Sequence, residues 1–205
     1  MITLDRQAIF LSASFPSGER GERFPEADAA AIADAVTAVV RAVLEAEGRL
    51  VFGAHPTISP LVLLVAGEYR RKEVVEIFQS RYYERVIPRE TLRLVELGFG
   101  TIHWTEDVGP RDESLELMRT KMLERPLAAG VFIGGMEGVV DEFTLLRDRV
   151  PCFLLAAPGG AARRLAGSAD WRPPEGFRPY IDSPRYPAVA RAIVEMVAGG
   201  ATRLQ

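Results

Sequence analysis

Residues 132 to 143 read FIGGMEGVVDEF and bring together two kinds of group that could do chemistry. Gly134, Gly135 and Gly138 can present bare backbone N–H groups to an anion, because no Cβ stands in the way and positive φ is open to them. Glu137, Asp141 and Glu142 follow at once. A carboxylate there could accept hydrogen bonds from sugar hydroxyls or activate a water. An apolar run precedes the glycines and a helical pattern follows them, so the stretch reads as a strand-to-helix turn. A helix starting near Gly138 would add its positive end to the same spot. The same glycines would also suit a tight turn that needs them for steric reasons alone.

Helical geometry separates the three carboxylates. Val139, Phe143, Leu146 and Val150 recur every three or four residues and define the apolar face. At about 100° per residue, Glu137 and Asp141 fall nearly opposite that face, and Glu142 lies roughly 70° from its centre. Glu142 also stacks one turn from Gly138, whose missing side chain leaves space beside it. Glu142 is therefore the carboxylate expected to meet a ligand over the glycines. A salt bridge at the helix edge is the alternative.

Hydrophobic patterning supplies the elements that must position these groups. Strands are expected at residues 8–13, 50–53, 74–78, 128–133 and 152–157, with a weaker one at 100–104. Most lack polar alternation, the mark of strands covered on both faces and hence of a parallel sheet. Helices are expected at about 26–47, 60–69, 88–97, 112–123, 139–149 and 187–197. This alternation predicts an α/β fold with a doubly wound, mostly parallel sheet, in one domain spanning residues 1–205. The stretch 167–184, rich in Pro and Gly, reads as a surface excursion. In such a sheet ligands bind beyond the carboxyl ends of the strands. The turns there read SASFPSGERG, GAHPTIS, GGMEG and PGG after the first, second, fifth and sixth strands.

Several chemistries are excluded by what the chain lacks. It has no Gly-Lys pair for a Walker A loop and no G-x-G-x-x-G after the first strand, which argues against P-loop phosphoryl transfer and standard dinucleotide redox chemistry. It has no G-x-S-x-G elbow. Ser12 and Ser14, at the end of the first strand, are expected to donate hydrogen bonds to a ligand. His55 sits in the second turn, where it could reach a phosphate or base or simply bond to backbone. Ser59 is a candidate N-cap for the helix that follows. His103 lies in an apolar strand and reads as a core residue. Two separated histidines and one cysteine, Cys152, give no metal-ligand spacing, so neither metal nor cofactor is expected. Cys152 reads as a packed thiol. A lone cysteine excludes an internal disulfide and suits a reducing cytoplasm. No signal peptide and no apolar run of about 18 residues is read, so no membrane span is expected. A net charge of −3 gives no reason to expect nucleic acid.

The glycine turn resembles the P-G-G-x-G-T-x-x-E motif of the Lonely Guy phosphoribohydrolases, which activate cytokinins and were formerly called lysine decarboxylases. It resembles more broadly the SLOG superfamily, which joins those enzymes to nucleotide-sensor domains. The closer likeness is to SLOG domains associated with TIR and sirtuin proteins in bacterial defence. Phe10–Ser14 resembles that group's F-L-S-A-S strand, residues 51–60 resemble its V-F-G-G-H-P-x-I-x-P turn, and Gly134–Gly138 resembles its G-G-M-x-G turn. An Arg-x-Lys at Arg119 and Lys121 resembles the Arg-Lys pair that the phosphoribohydrolases carry before the glycine motif.

The resemblance implies a cytoplasmic nucleotide-binding domain that forms a homodimer or higher homo-oligomer. It further implies a pocket made by Ser12, Ser14, Gly53, Ala54, His55, Arg119, Gly134, Gly135, Met136, Gly138 and Glu142. In a sensor, an NAD-derived or ADP-ribose-like signal made by a TIR-domain enzyme would lie with its diphosphate on Gly134, Gly135 and Gly138. Arg119 would face the diphosphate and Glu142 the ribose. A chain of this length leaves no room for an attached effector, so output would come from assembly or a partner. In an enzyme, Glu142 and Arg119 would be the catalytic pair of an N-glycosidic hydrolase. The chain departs from the phosphoribohydrolase motif at Ile133, at Val139 and by one residue inserted before Gly138. These departures favour sensing over turnover.

Overall fold

The computed structural model describes residues 2–202. It contains a six-stranded sheet in which every neighbouring pair is parallel. The strands are β1 (Ala8–Ser14), β2 (Arg49–Gly53), β3 (Val75–Ser80), β4 (Gly100–Thr105), β5 (Ala129–Gly134) and β6 (Cys152–Leu155). Helices α1 (Gly18–Gly21), α2 (Ala29–Glu45), α3 (Ser59–Tyr69), α4 (Arg89–Glu96), α5 (Arg111–Leu123), α6 (Glu137–Leu146), α7 (Gly160–Ala166) and α8 (Tyr186–Thr202) connect and follow them. The spatial order is β4-β3-β2-β1-β5-β6. The chain winds outward from β1 to β4, then returns to lay β5 on the other side of β1. That reversal opens a crevice between the carboxyl ends of β1 and β5, the usual ligand position in such sheets. The register pairs Ser14 with Gly134 there.

Burial explains why the apolar runs became strands. Ile9, Phe10, Leu50, Val51, Val131, Phe132 and Ile133 have at most a trace of exposure, as strands covered on both faces require. The rings of Phe10, Phe132 and Phe143 meet edge to face at 6.0 and 5.5 Å, which ties β1 and β5 to α6. Helix α3 contacts both α2 and α4, and α2 contacts α8, while α6 contacts α5 and α7. The sheet is thus sandwiched between two helical layers. Asp28 caps α2 by accepting from the N–H groups of Ala30 and Ala31 at 2.9 and 3.0 Å.

Three local expectations change. Ser59 is not a cap: it opens α3, is fully buried, and shares a 2.7 Å hydrogen bond with Thr91 of α4. His103 is not in the core, because β4 is an edge strand; its side chain is 35% exposed, stacks on Phe78 at 4.8 Å and lies 3.4 Å from Glu76. The 167–184 stretch is more than a surface excursion. Its Trp171 donates to the Cys152 carbonyl at 2.9 Å, and its buried Phe177 packs against Phe153 at 4.9 Å. It thereby covers the other edge strand, β6, whose open carbonyls would otherwise invite pairing. The sequence 158–160 leads into α7, as expected, and does not line the main cleft. Cys152 is buried as expected, and burial pushes its thiol up to about 12.

The three-ring contact around Phe132 should dominate the stability of the β1–β5 seam. Phe132→Ala is expected to destabilise the fold by about 3–5 kcal/mol, read as a lower urea midpoint with an unchanged m-value.

Candidate functional site

A cleft of about 1270 Å³ opens over the carboxyl ends of β1, β2 and β3. Ser12, Ser14, Gly53, Ala54, His55, Arg119, Met136, Gly138 and Glu142 all line it. Residues far apart in sequence therefore line one cleft. At its centre three elements meet. Ser12, on β1, donates its hydroxyl to Glu142 Oε2 at 2.5 Å. Arg119, from α5, brings Nε to 3.7 Å from Glu142 Oε1 and Nη1 to 3.1 Å from Asp141 Oδ2. The Glu142 and Arg119 side chains are only 16% and 17% exposed.

Gly138 explains how α5 and α6 come this close. A Cβ at Gly138 would stand 3.1 Å from Arg119 Nη2, so any larger residue would push the guanidinium aside. Helix α6 starts without a side-chain cap, and Val139 N–H turns back to the Met136 carbonyl at 3.0 Å. The Glu137 and Gly138 N–H groups are left without an acceptor among the described residues. Arg119 Nε is likewise buried with no hydrogen-bond partner there. Backbone donors, a helix start and an incompletely bonded guanidinium thus converge beside one carboxylate, a combination suited to an anionic group carrying hydroxyls.

Two of the predicted anion contacts are corrected. Gly134 and Gly135 do not line the cleft. The Gly135 N–H is donated to the Ser14 carbonyl at 2.8 Å, so it is not free for a diphosphate. Both residues have positive φ, and a Cβ at either would collide with Ile32 or Val139 at 2.5 or 2.1 Å. The pair turns the corner tightly, which is the steric reading of those glycines, and Gly138 alone of the three faces the cavity. Ser12 is corrected too, since its hydroxyl is committed to Glu142 and not free to donate outward. Asp141 was expected in solvent; it is 54% exposed but pinned to Arg119. Glu137 pairs with Arg23 at 3.2 Å on the cleft wall.

His55 Nδ1 lies 2.9 Å from Thr57 Oγ1 and accepts from Thr57 N–H at 3.3 Å. That places the neutral ring's proton on Nε2, and burial lowers its pKa, so the ring is uncharged at neutral pH. The local backbone bond and a place on the cleft wall coexist. Sequence reasoning missed Arg20 and Arg23 of the first turn, and also Gln79, Tyr83 and Arg111 on the β3 side. A glutamine directly after the apolar pair Ile77-Phe78 was the available signal for Gln79. Among the described residues no group of three or more metal-ligating side chains gathers, and no helix is long and apolar enough to cross a membrane.

A family model described as the SLOG cluster3 family matches residues 22–177. That span includes His55, Arg119, Gly138 and Glu142 but begins after β1. The X-ray structure of TM1055, a structural genomics target, is similar in fold at a TM-score of 0.57 and 15% identity, covering 92% of this chain and 98% of that one. Among curated proteins no significant match is found.

Desolvation raises the Glu142 pKa above its ordinary 4.5, outweighing the Ser12 hydrogen bond and the Arg119 charge, which lower it. The folded state therefore holds this proton more tightly than the unfolded chain. Its contribution to stability is complete below pH 4.5 and is lost as pH rises through the raised value. Glu142→Gln abolishes that loss. Its melting temperature relative to wild type is expected to climb as pH rises above 4.5, by roughly 2–4 °C per kcal/mol. A gap independent of pH would show that Glu142 titrates normally.

Proposed function

Because the chain belongs to the SLOG cluster3 family, we propose that its cleft binds a nucleotide, with Glu142 facing the ribose and the start of α6 facing the phosphates. The observation that carries this reading is the meeting of Ser12, Arg119 and Glu142 beside the uncapped helix start. A guanidinium and free backbone N–H groups suit phosphate oxygens. A buried carboxylate suits vicinal hydroxyls, which can donate two hydrogen bonds to it. We take the ligand to be NAD-derived or ADP-ribose-like, bound as a signal in a TIR-linked defence pathway. Output would pass through a second copy of the chain or through the partner enzyme. The motif resemblance supports that identity, and the cleft's volume exceeds what a mononucleotide alone requires.

A second reading, hydrolysis of a nucleotide N-glycosidic bond, is favoured by one observation. The Glu142 carboxyl, buried beside Arg119 on α6, is placed to activate water or stabilise an oxocarbenium-like ribosyl transition state, with Arg119 orienting it. Against it stands Val139, a buried valine where the phosphoribohydrolase motif has a threonine hydroxyl.

Incubation with AMP, NAD and linear and cyclic ADP-ribose, followed by thermal-shift and base-release assays, separates the two. Sensing predicts that an ADP-ribose form at about 100 times its Kd stabilises the fold by about 2.7 kcal/mol without releasing base. Glu142→Ala and Arg119→Gln should each abolish the shift. Base release that disappears in Glu142→Ala would establish the hydrolase instead. Silence across the panel would remove both.

A further inference from the structure

We infer that the β3 end of the cleft reads a planar, hydrogen-bond-accepting ring on the bound ligand, with the Gln79 amide as the donor that recognises it. The inference rests on the nucleotide reading and adds the part of the ligand that reading leaves unassigned. Gln79 lies near the carboxyl end of β3, is only 4% exposed, and lines the cleft. Its Oε1 accepts from the Ser80 N–H at 3.0 Å. That bond fixes the amide orientation, since an NH₂ group there would meet the Ser80 donor head on. The NH₂ end is therefore the free end, and it has no acceptor among the described residues. Buried amides normally fill both ends. A nearly buried glutamine that anchors its oxygen to the main chain and leaves two donors idle beside a cavity is arranged to receive something.

The walls around it define what that is. Ile58, Leu115 and Pro88 contribute apolar lining to the same cleft, and Tyr83 lies in the turn at residues 81–86 directly after β3. Tyr83 accepts from Arg111 Nε at 2.7 Å, and Arg111 Nη1 is bonded to Asp112 at 2.7 Å. Two of the five Arg111 N–H donors are thus held by Tyr83 and Asp112. Apolar faces with one oriented donor are the pattern of a site for a flat heterocycle, which stacks on the walls and offers a ring nitrogen or carbonyl to the amide. The spacing agrees. From β5 to β3 is three strand steps, about 14 Å. A phosphate held at the start of α6 and a ring held at Gln79 therefore belong to one extended ligand.

Titration calorimetry of the intact chain with ADP-ribose tests this in four proteins: wild type, Gln79→Glu, Gln79→Met and Glu142→Ala. Gln79→Glu keeps the acceptor for Ser80 N–H and removes the donors; Gln79→Met removes the donors without adding charge. Both are expected to weaken ADP-ribose about ten- to a hundredfold; Gln79→Met leaves the Ser80 N–H without its acceptor and Gln79→Glu buries a carboxylate, so binding is measured well below the lowered melting temperatures of both. If both bind like wild type while Glu142→Ala does not, the ring site is wrong and the nucleotide reading stands. If only Gln79→Glu is weakened, the effect is charge repulsion and the ring site is again overturned. If wild type itself does not bind, both proposals fall together.

Discussion

The constraint on which the site depends is the removal of one carboxylate from water. Glu142 sits where β1, α5 and α6 converge, with too little exposure for solvent to hold its charge. Ser12 and Arg119 compensate only in part, as the upward pKa displacement records. A buried acid that remains harder to ionise than in water works against the stability of the folded chain at neutral pH. Proteins keep such groups chiefly where function needs them. The neighbours are arranged consistently with that cost. Gly138 vacates the space Arg119 crosses, and Asp141 holds the guanidinium's other edge from the solvent side. The result is a fixed positive charge with one edge tied and a buried Nε–H still unfilled.

The sheet decides where this convergence can happen. Winding outward from β1 and then returning to the far side of β1 places the chain's two halves on either side of one crevice. Residues from β1, β2 and β3 supply one wall, and α5 and α6 supply the other. No pair among Ser12, His55, Arg119 and Glu142 is close in sequence, yet all four line a single cavity. That topology follows from short, uniformly apolar strands separated by helices.

Much of this was legible before any coordinates. Strands covered on both faces give unbroken apolar runs, so β1, β2, β3, β5 and β6 were placed within a residue or two, and the weaker run at β4 proved to be the edge. Helical phase singled out Glu142 from its two neighbours. What escaped was of two kinds. Glycine carries no label for its purpose, so Gly134 and Gly135 looked like phosphate ligands although their small size serves the tight corner against Ile32 and Val139. And polar side chains that enter a site by tertiary contact, such as Asp141 on Arg119 and Gln79 at the end of β3, have no periodic signature. His103 and Ser59 were misread for the same reason, since edge position and an interhelical hydroxyl pair are set by the whole sheet.

The hydrogen bond from Ser12 to Glu142 joins residues 130 positions apart, and that separation bears on how the chain acquires its cavity. Bringing β1 beside β5 closes a long loop, an entropic cost that the seam's contacts help to offset. The crevice exists only once that seam has formed. Ligand would then bind only the finished molecule and draw the equilibrium towards it, so the abundance of intact protein in a cell would rise with the very compound it recognises.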